Sequence, residues 1–542
     1  MLFDVAKPLG ERGLKWLKIQ VANLFGVDKV SFKEREMFVQ KHLDDIFDSA
    51  DNPLSGRRWW LKADSPWQCL ATCIELTNAL RSPNPTAFMS RLPIHQDGTC
   101  NGLQHYAALG GDREGAKLVN LIPGEKPSDV YTGVATQVAK LIEEDAKAGH
   151  PYSAKLNGHI SRKVVKQTVM TNTYGVTRIG ARIQVTNRLK ELDVDFTDEE
   201  LYRGSMYIVG KIFDSLGIMF EGARNLQKWL NSTARIIANS VSVDSLSEVH
   251  KQDLEWVRQR GLLPMAKKEL LQEIEKESEV TEIPSAADMK AENVDGEAFA
   301  NLEEAAIEDT EAAEGKEEEK TEKDKKNSPL KIASVVWTSP LGLPIVQPYW
   351  NYRAKTVRTY LQSVTLFDPK LPCAVDSQKQ STAFPPNYIH CLDASHMMLS
   401  AIACKAAGLE FAAVHDSYWT HASDVDKMNT ILREAFVKLH SENLMDRLRN
   451  EIIQRYRDHK IPVDVKLRGD DIDAFINYAK STGRRVVFPR VPKEKEGEAT
   501  PGAKAKERVK IIQIYTDIEI PPLPARGDFN VEQVKNSAYF FH

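Results

Sequence analysis

Residues 91–105 read RLPIHQDGTCNGLQH, and the reading of this stretch decides the fold. The short run before Asp97 is strand-like, and a glycine-containing turn follows it. An aspartate at a strand end, followed by Gly98, can present its carboxylate and a neighbouring carbonyl to one cation. Magnesium takes a few carboxylates and completes its shell with phosphate oxygens and water. A lone aspartate in a turn is far more often a cap or a turn former. Asp97 therefore needs company before it signifies chemistry.

That company lies in two distant segments. FAAVHDSYWTHA (411–422) reads as a buried apolar strand entering a tight turn at His415-Asp416-Ser417, which puts a second carboxylate in a similar setting. Two ions about 3.5–4 Å apart can activate a 3′-hydroxyl and stabilise a leaving pyrophosphate. SRKVVKQTVMTNTYG (161–175) reads as a helix beginning near Ser161 and terminated by Gly175. Its Arg162, Lys166, Met170 and Tyr174 recur every four residues and so form one slowly drifting stripe. A stripe cationic at one end and aromatic at the other is a poor core face. It suits a substrate with phosphates at one end and a stacking base at the other. Taken alone, the segment is more often an exposed amphipathic helix with scattered cations. His415-Asp416 has a competing reading as a metal-ligating pair of a phosphohydrolase. That chemistry needs further spaced ligands on helices; His390 and His396 could be recruited, but the strand-like setting is wrong for it.

The 542 residues allow several domains and a large core. At 42% hydrophobic and 27% charged, the composition is that of a globular protein. No run of about 18 apolar residues occurs, so no membrane span is expected. The opening MLFDVAKPLGERGLKWLK lacks the apolar core and cleavage site of a secretory signal, and it is neither Ser-rich nor acid-poor like a transit peptide. The six cysteines form no CxxC pair, and buried reduced thiols are the expectation. Net charge is −4, but residues 267–326 hold 21 acidic against 9 basic side chains, which leaves the remainder at +8. A moderate positive balance suits a chain that handles a polyanion.

Residues 1–60 show helical periodicity, and WQCLATCIELTNAL (67–80) is a further helix started after Ser65-Pro66. Residues 112–147 read as two helices broken at Pro123-Gly124, with Ser128 as the N-cap of the second. The Glu/Lys/Ala-rich 267–326 segment reads as a solvated insertion, and 491–510 as a second flexible stretch. A hairpin is expected around Pro340-Leu-Gly, and a docked aromatic terminus at NSAYFFH. The fold class is accordingly α/β (α+β), mostly helical with a small antiparallel sheet.

In order, Asp97–His105, Arg162–Gly175 and His415–Ser417 resemble the A, B and C motifs of single-subunit, phage-type RNA polymerases, most closely the mitochondrial branch. KPLGERGLKWLKIQVANLFGVDKV (7–30), FPPNYIHCLDASHMM (384–398) and the LPARGDFN…AYFFH ending extend the resemblance over nearly the whole chain outside the two flexible segments. The acidic insertion and the YFFH ending resemble fungal members.

The resemblance implies a right-hand palm, discontinuous over 1–113 and 391–542, with fingers at 114–390. It implies that Asp97, the Gly98 carbonyl and Asp416 hold two Mg2+ ions. Arg162 and Lys166 would hold the triphosphate, with Lys166 as general acid. Tyr131 matches a position near the nucleotide, Tyr174 one that takes part in sugar selection, and His390 one near the 2′-hydroxyl. Gly102 stands where related DNA polymerases carry a bulky Glu, and so leaves room for a ribose. Residues 352–380 match a promoter-reading hairpin, where Arg353, Lys355 and Arg358 could contact DNA; Lys379 and Gln380 match the family more closely than the hairpin tip. The implied partners are DNA template, RNA product, NTPs and a mitochondrial transcription factor, and the implied location is the mitochondrial matrix.

The resemblance starts part-way into the palm, so the expectation is a catalytic C-terminal portion without the N-terminal domain, thumb and transit peptide. Its alternative is a nucleic-acid-binding fragment that is catalytically incompetent. A DNA polymerase of related fold is the third reading, and Gly102 argues against it.

Overall fold

The computed structural model describes residues 2–173, 175–191, 197–279, 333–352, 354–367, 373–484, 488 and 509–542. Among these the chain is mostly helical, with small antiparallel sheets. Helices start where local chemistry satisfies their orphan N–H groups. Ser31 caps helix Phe32–Lys41, and Glu34 reaches back to the Ser31 N–H at 2.8 Å. Thr197 and Glu200 form the same reciprocal pair at helix Asp198–Met219. Pro66 opens helix Pro66–Arg81, where its missing N–H costs nothing.

One cap differs from expectation. Helix Val130–Lys147 is capped by Asp129, not Ser128. Asn120 holds Ser128 instead, accepting its N–H at 2.7 Å and donating to its carbonyl at 3.0 Å. The carboxylate at the cap also faces the positive end of the helix dipole.

The acidic segment begins later than its composition suggests. Helix Leu263–Glu279 runs through residue 267. Leu263, Ala266, Leu270 and Ile274 recur at helical spacing among the charges, and Ala266 and Ile274 are buried in the main core. Residues 280–326 lie outside the described residues, as do 491–508. Val509 and Lys510, expected in the second flexible stretch, belong to strand Val509–Asp517.

Two three-stranded sheets organise the chain. In one, Ser417–His421 lies between Pro93–Asp97 and Ala412–Val414; in the other, His459–Arg468 lies between Val509–Asp517 and Val241–Ser242. Short ribbons pair Lys7–Pro8 with Met89–Ser90, Val336–Thr338 with Pro344–Val346, and Ala354–Arg358 with Ser363–Phe367. The second ribbon is the hairpin expected around Pro340. The third lies in the 352–380 region and ends in a fully exposed Tyr360-Leu361 tip. The long helix Ser377–Ala406 carries His390, Asp393 and His396, and the expected boundary at 390/391 falls inside it.

Packing brings distant segments to the first sheet. The N-terminal helices share a core with Ile94, Ala422 and Val425. Gly13 faces Ser423, where a Cβ would stand 3.0 Å from the Ser423 nitrogen. Lys7 pairs with Asp424 at 2.7 Å, and Trp16 Nε1 donates to Asp426 at 3.0 Å. These contacts hold strand Lys7–Pro8 and helix Gly10–Phe25 against the chain leaving strand Ser417–His421. At the other end, Tyr539, Phe540, Phe541 and His542 are buried, as the aromatic terminus led one to expect.

Gly111 and Gly527 cross backbone to backbone. Gly527 N–H donates to Gly110 O at 2.8 Å, and Phe529 N–H donates to Gly111 O at 2.9 Å. A Cβ on Gly527 would overlap the Gly111 carbonyl oxygen. Gly527→Ala should therefore lower stability by roughly 1–3 kcal/mol, because backbone cannot move aside as a side-chain tip can. A thermal or urea unfolding midpoint equal to that of the parent chain would contradict this crossing.

Candidate active site

The centre of the site is the strand pair. Asp97 stands opposite Ser417 in the antiparallel register, and Gly98 N–H donates to Asp416 O at 3.4 Å. The two aspartates, 319 positions apart in sequence, therefore end adjacent strands. His415 occupies the left-handed region at φ 56° in the turn between Ala412–Val414 and Ser417–His421. Such a conformation costs a non-glycine residue on the order of 1 kcal/mol, and here it turns Asp416 back toward the central strand. On the far side of Asp97, His542 N–H donates to Asp97 O at 3.2 Å, and Gly98 bridges Phe541.

The two carboxylates differ. Asp97 is exposed, while Asp416 is half-buried. Burial, then the charges of Asp97 and Asp393, push the Asp416 carboxyl above its ordinary range. An ionised Asp416 is thus under-compensated by protein, a condition a bound cation would relieve. Among the described residues, no group of three or more His, Cys, Asp or Glu side chains is close enough to hold a metal by itself. Two carboxylates suffice only for an ion that takes its other ligands from water or substrate phosphates.

Helix Arg162–Asn172 carries the expected cations Arg162 and Lys166. Its end is a Schellman motif: Val176 N–H donates to Thr171 O at 3.1 Å, Gly175 N–H donates to Asn172 O at 3.2 Å, and Gly175 has φ 76°. Tyr174 lies outside the described residues. Lys166 is exposed, Met170 is 40% exposed, and Arg162 is half-buried. Arg162 is not a loose cation. Its Nε donates to Asp129 Oδ2 at 2.7 Å, and its guanidinium lies 5.4 Å from the Tyr131 ring centroid. Burial alone would push the Asp129 carboxyl up, but hydrogen bonds from Thr132 and Arg162 hold it below its ordinary range. One carboxylate thus caps a helix and fixes an arginine. Tyr131 is buried beside Cys100, and burial pushes its hydroxyl well above its ordinary range.

Gly102 is the second residue of helix Asn101–Gly110. A Cβ there would stand 2.8 Å from Thr173 Cβ. Its bareness lets this helix approach the end of the Arg162–Asn172 helix. His390 is exposed, and burial of its neighbourhood holds its imidazole below its ordinary range despite nearby Asp393. In the 352–380 region, Arg358 is exposed; Arg353 and the Lys355 side chain lie outside the described residues. Lys379 Nζ lies 5.2 Å from the Tyr349 ring centroid. Gln380 is fully buried and bonded to Ser334, Val335 and Gln347, a structural role.

Sequence reasoning did not single out Asp129, Asn101, Asp393, His105 or His440. Asn101 Nδ2 donates to Asp393 Oδ1 at 3.1 Å, and His105 Nε2 stands 3.8 Å from the same oxygen. His105 Nδ1 meets His440 Nε2 at 2.8 Å. With the carboxylate facing His105 Nε2, the proton belongs there, so His105 Nδ1 accepts from His440. Burial raises the Asp393 carboxyl, but His105 and Asn101 more than offset it and hold it low. One signal was available: Asp393 follows His390 by three residues in NYIHCLD, on the same helix face.

His396 is buried and donates from Nε2 to Leu432 O at 2.9 Å. Burial lowers its pKa from 6.5 to about 4. The unfolded chain takes a proton here below pH 6.5 and the folded chain does not until about pH 4, so stability falls across that window. His396→Gln keeps a donor for Leu432 and does not titrate. The gap between wild-type and His396→Gln unfolding free energies should shift against the wild type by up to about 3 kcal/mol from pH 6.5 to pH 4. Parallel pH profiles would show that His396 is not a buried neutral imidazole.

Comparison with known proteins shows the family. The family model described as DNA-dependent RNA polymerase matches residues 7–542. The mitochondrial DNA-directed RNA polymerase of Neurospora crassa is 42% identical over 84% of this chain and 29% of its own length. That of Schizosaccharomyces pombe is 38% identical over 99% of this chain and 37% of its own. DNA-directed RNA polymerase 2, chloroplastic/mitochondrial, of Arabidopsis thaliana is 42% identical over 100% and 39%. The chain thus spans between 29% and 39% of the length of these relatives. The family model matches nearly all residues, and the chain belongs to the DNA-dependent RNA polymerase family.

Proposed function

We propose that this chain carries the nucleotidyl-transfer centre of a single-subunit mitochondrial RNA polymerase, which joins NTPs to the 3′ end of RNA on a DNA template. The observation that carries this reading is the pairing of Pro93–Asp97 with Ser417–His421, which sets Asp97 and Asp416 on adjacent strand ends. In this reading residues 1–113 and 391–542 form the palm and 114–390 the fingers. The 354–367 hairpin, with exposed Arg358, reads promoter DNA. The matrix of the mitochondrion is the place of work, with a mitochondrial transcription factor as partner.

Asp97, the Gly98 carbonyl and Asp416 would hold two Mg2+ ions, and the under-compensated charge at Asp416 fits that role. When bound, such ions lower the pKa of a 3′-hydroxyl and neutralise charge on pyrophosphate. The rest is the work of side chains. Arg162, anchored through Nε on Asp129, turns its terminal guanidinium nitrogens to the triphosphate. Lys166, one helical turn on, gives its proton to the leaving pyrophosphate as the 3′-oxygen, its own proton lost to solvent, bonds the α-phosphorus and the α–β phosphoanhydride bond breaks. Tyr131 packs under Arg162 beside the nucleotide. Gly102 and His390 face the sugar, and sugar selection is the role the resemblance gives Tyr174.

Primer extension on an RNA/DNA hybrid tests the proposal. Extension is expected with NTPs and Mg2+, and it should stop when Mg2+ is chelated. Asp416→Asn should slow extension roughly a thousandfold while hybrid binding stays measurable. Extension with dNTPs alone would favour a DNA polymerase. Hybrid binding with no extension would leave a binding fragment.

A further inference from the structure

Three close contacts converge behind the positions assigned to the sugar. Gly102 faces Thr173, and Gly175 faces Pro386, where a Cβ would stand 3.1 Å from Pro386 Cγ. The third contact is polar: Asn101 Nδ2 donates to Asp393 Oδ1 at 3.1 Å. Together they join helices Asn101–Gly110 and Ser377–Ala406 to the end of helix Arg162–Asn172. The glycine contacts limit only how close these elements come. The Asn101–Asp393 bond is directional and charge-assisted, so it also fixes their orientation.

Both partners are held from behind. Asn101 is 2% exposed, and its carbonyl oxygen lies over Gly98, where a Cβ would overlap it. That oxygen is buried without a hydrogen-bond partner, so the Asp393 bond is what the amide gains. Asp393 is backed by His105, four residues beyond Asn101 on its helix, and His105 by buried His440. Asn101 directly precedes Gly102, and Asp393 lies one helical turn after His390. One hydrogen bond thus ties the residue preceding Gly102 to the residue one turn beyond His390.

We infer that Asn101 and Asp393 are positioning residues for ribose selection: their hydrogen bond sets the spacing between Gly102 and His390 at which a 2′-hydroxyl is received. The inference rests on the polymerase reading above. A site built to bond a substrate hydroxyl rejects an analogue lacking it, because the site's own polar group is left unpaired. Such rejection depends on geometry held to well within about 1 Å, so loosening the spacing relaxes it. A merely structural bond would affect both sugars alike.

The test is single-nucleotide extension by the full chain, with kcat/KM measured for an NTP and for its dNTP. The wild type is compared with Asn101→Ala, Asp393→Ala and Asp393→Asn, and unfolding midpoints are recorded alongside. Asn101→Ala and Asp393→Ala should lower the NTP/dNTP ratio about tenfold, as expected for loss of a hydrogen bond to a charged group. Asp393→Asn keeps an acceptor for the Asn101 amide and should stay within about threefold of the wild-type ratio. An unchanged ratio in folded Asn101→Ala overturns the inference, and so does an equal loss for both sugars. In those outcomes the wild type still extends with NTPs, so the polymerase reading survives. A wild type that extends with neither sugar overturns that reading and this inference with it.

Discussion

The antiparallel pairing of Pro93–Asp97 with Ser417–His421 is the constraint on which the site depends. Everything between Asp97 and Asp416 must fold so that these two strands meet. The entropy of closing so long a loop grows only slowly with its length, so a large helical body can lie between them. Register is the stricter demand. A slip of one residue would send each side chain to the opposite face. Tyr418 and Gln96, opposite each other and fully buried, resist that slip, and Asn429 Nδ2 donates to Gln96 Oε1 at 2.8 Å. The N-terminal helices on one side and the last residues of the chain on the other fix the pair in place.

Charge compensation then divides the acidic side chains into two kinds. Asp129 is answered by Arg162, Thr132 and a helix N-terminus, and Asp393 by Asn101 and His105; both carboxyls are held low. Asp416 is half-buried, with the charges of Asp97 and Asp393 acting on it, and is held high. The compensated residues belong to the framework that aims other groups. The under-compensated one is where a cation would add most. The buried imidazoles of His396 and His440 stay neutral through burial and deepen the same contrast.

Local signals carried much of the fold. Helix Pro66–Arg81, the hairpin around Pro340, the turn at His415-Asp416 and the stop at Gly175 follow from proline, glycine and alternation, which act within a few residues. The misplaced cap shows where local reasoning fails: Ser128 and Asp129 are both good caps, and the choice came from Asn120, which engages Ser128. Leu263–Glu279 is similar, because charge count dominates its composition while a sparse apolar stripe docks it through Ala266 and Ile274. Gly102 was legible as a small residue, but the reason it must be small, the nearness of Thr173, lies across the fold.

The sequence by itself determined the residue types, their order and the periodicity that puts Arg162 and Lys166 on one helix, because those depend on neighbours along the chain. It also carried the family resemblance that the family match bears out. Only the tertiary structure decided that Asp97 stands opposite Ser417, that Arg162 is anchored on Asp129, and that Asn101 reaches Asp393. These contacts join residues from 33 to 320 positions apart, and packing of buried faces brings such residues together. No spacing rule along the chain can specify them.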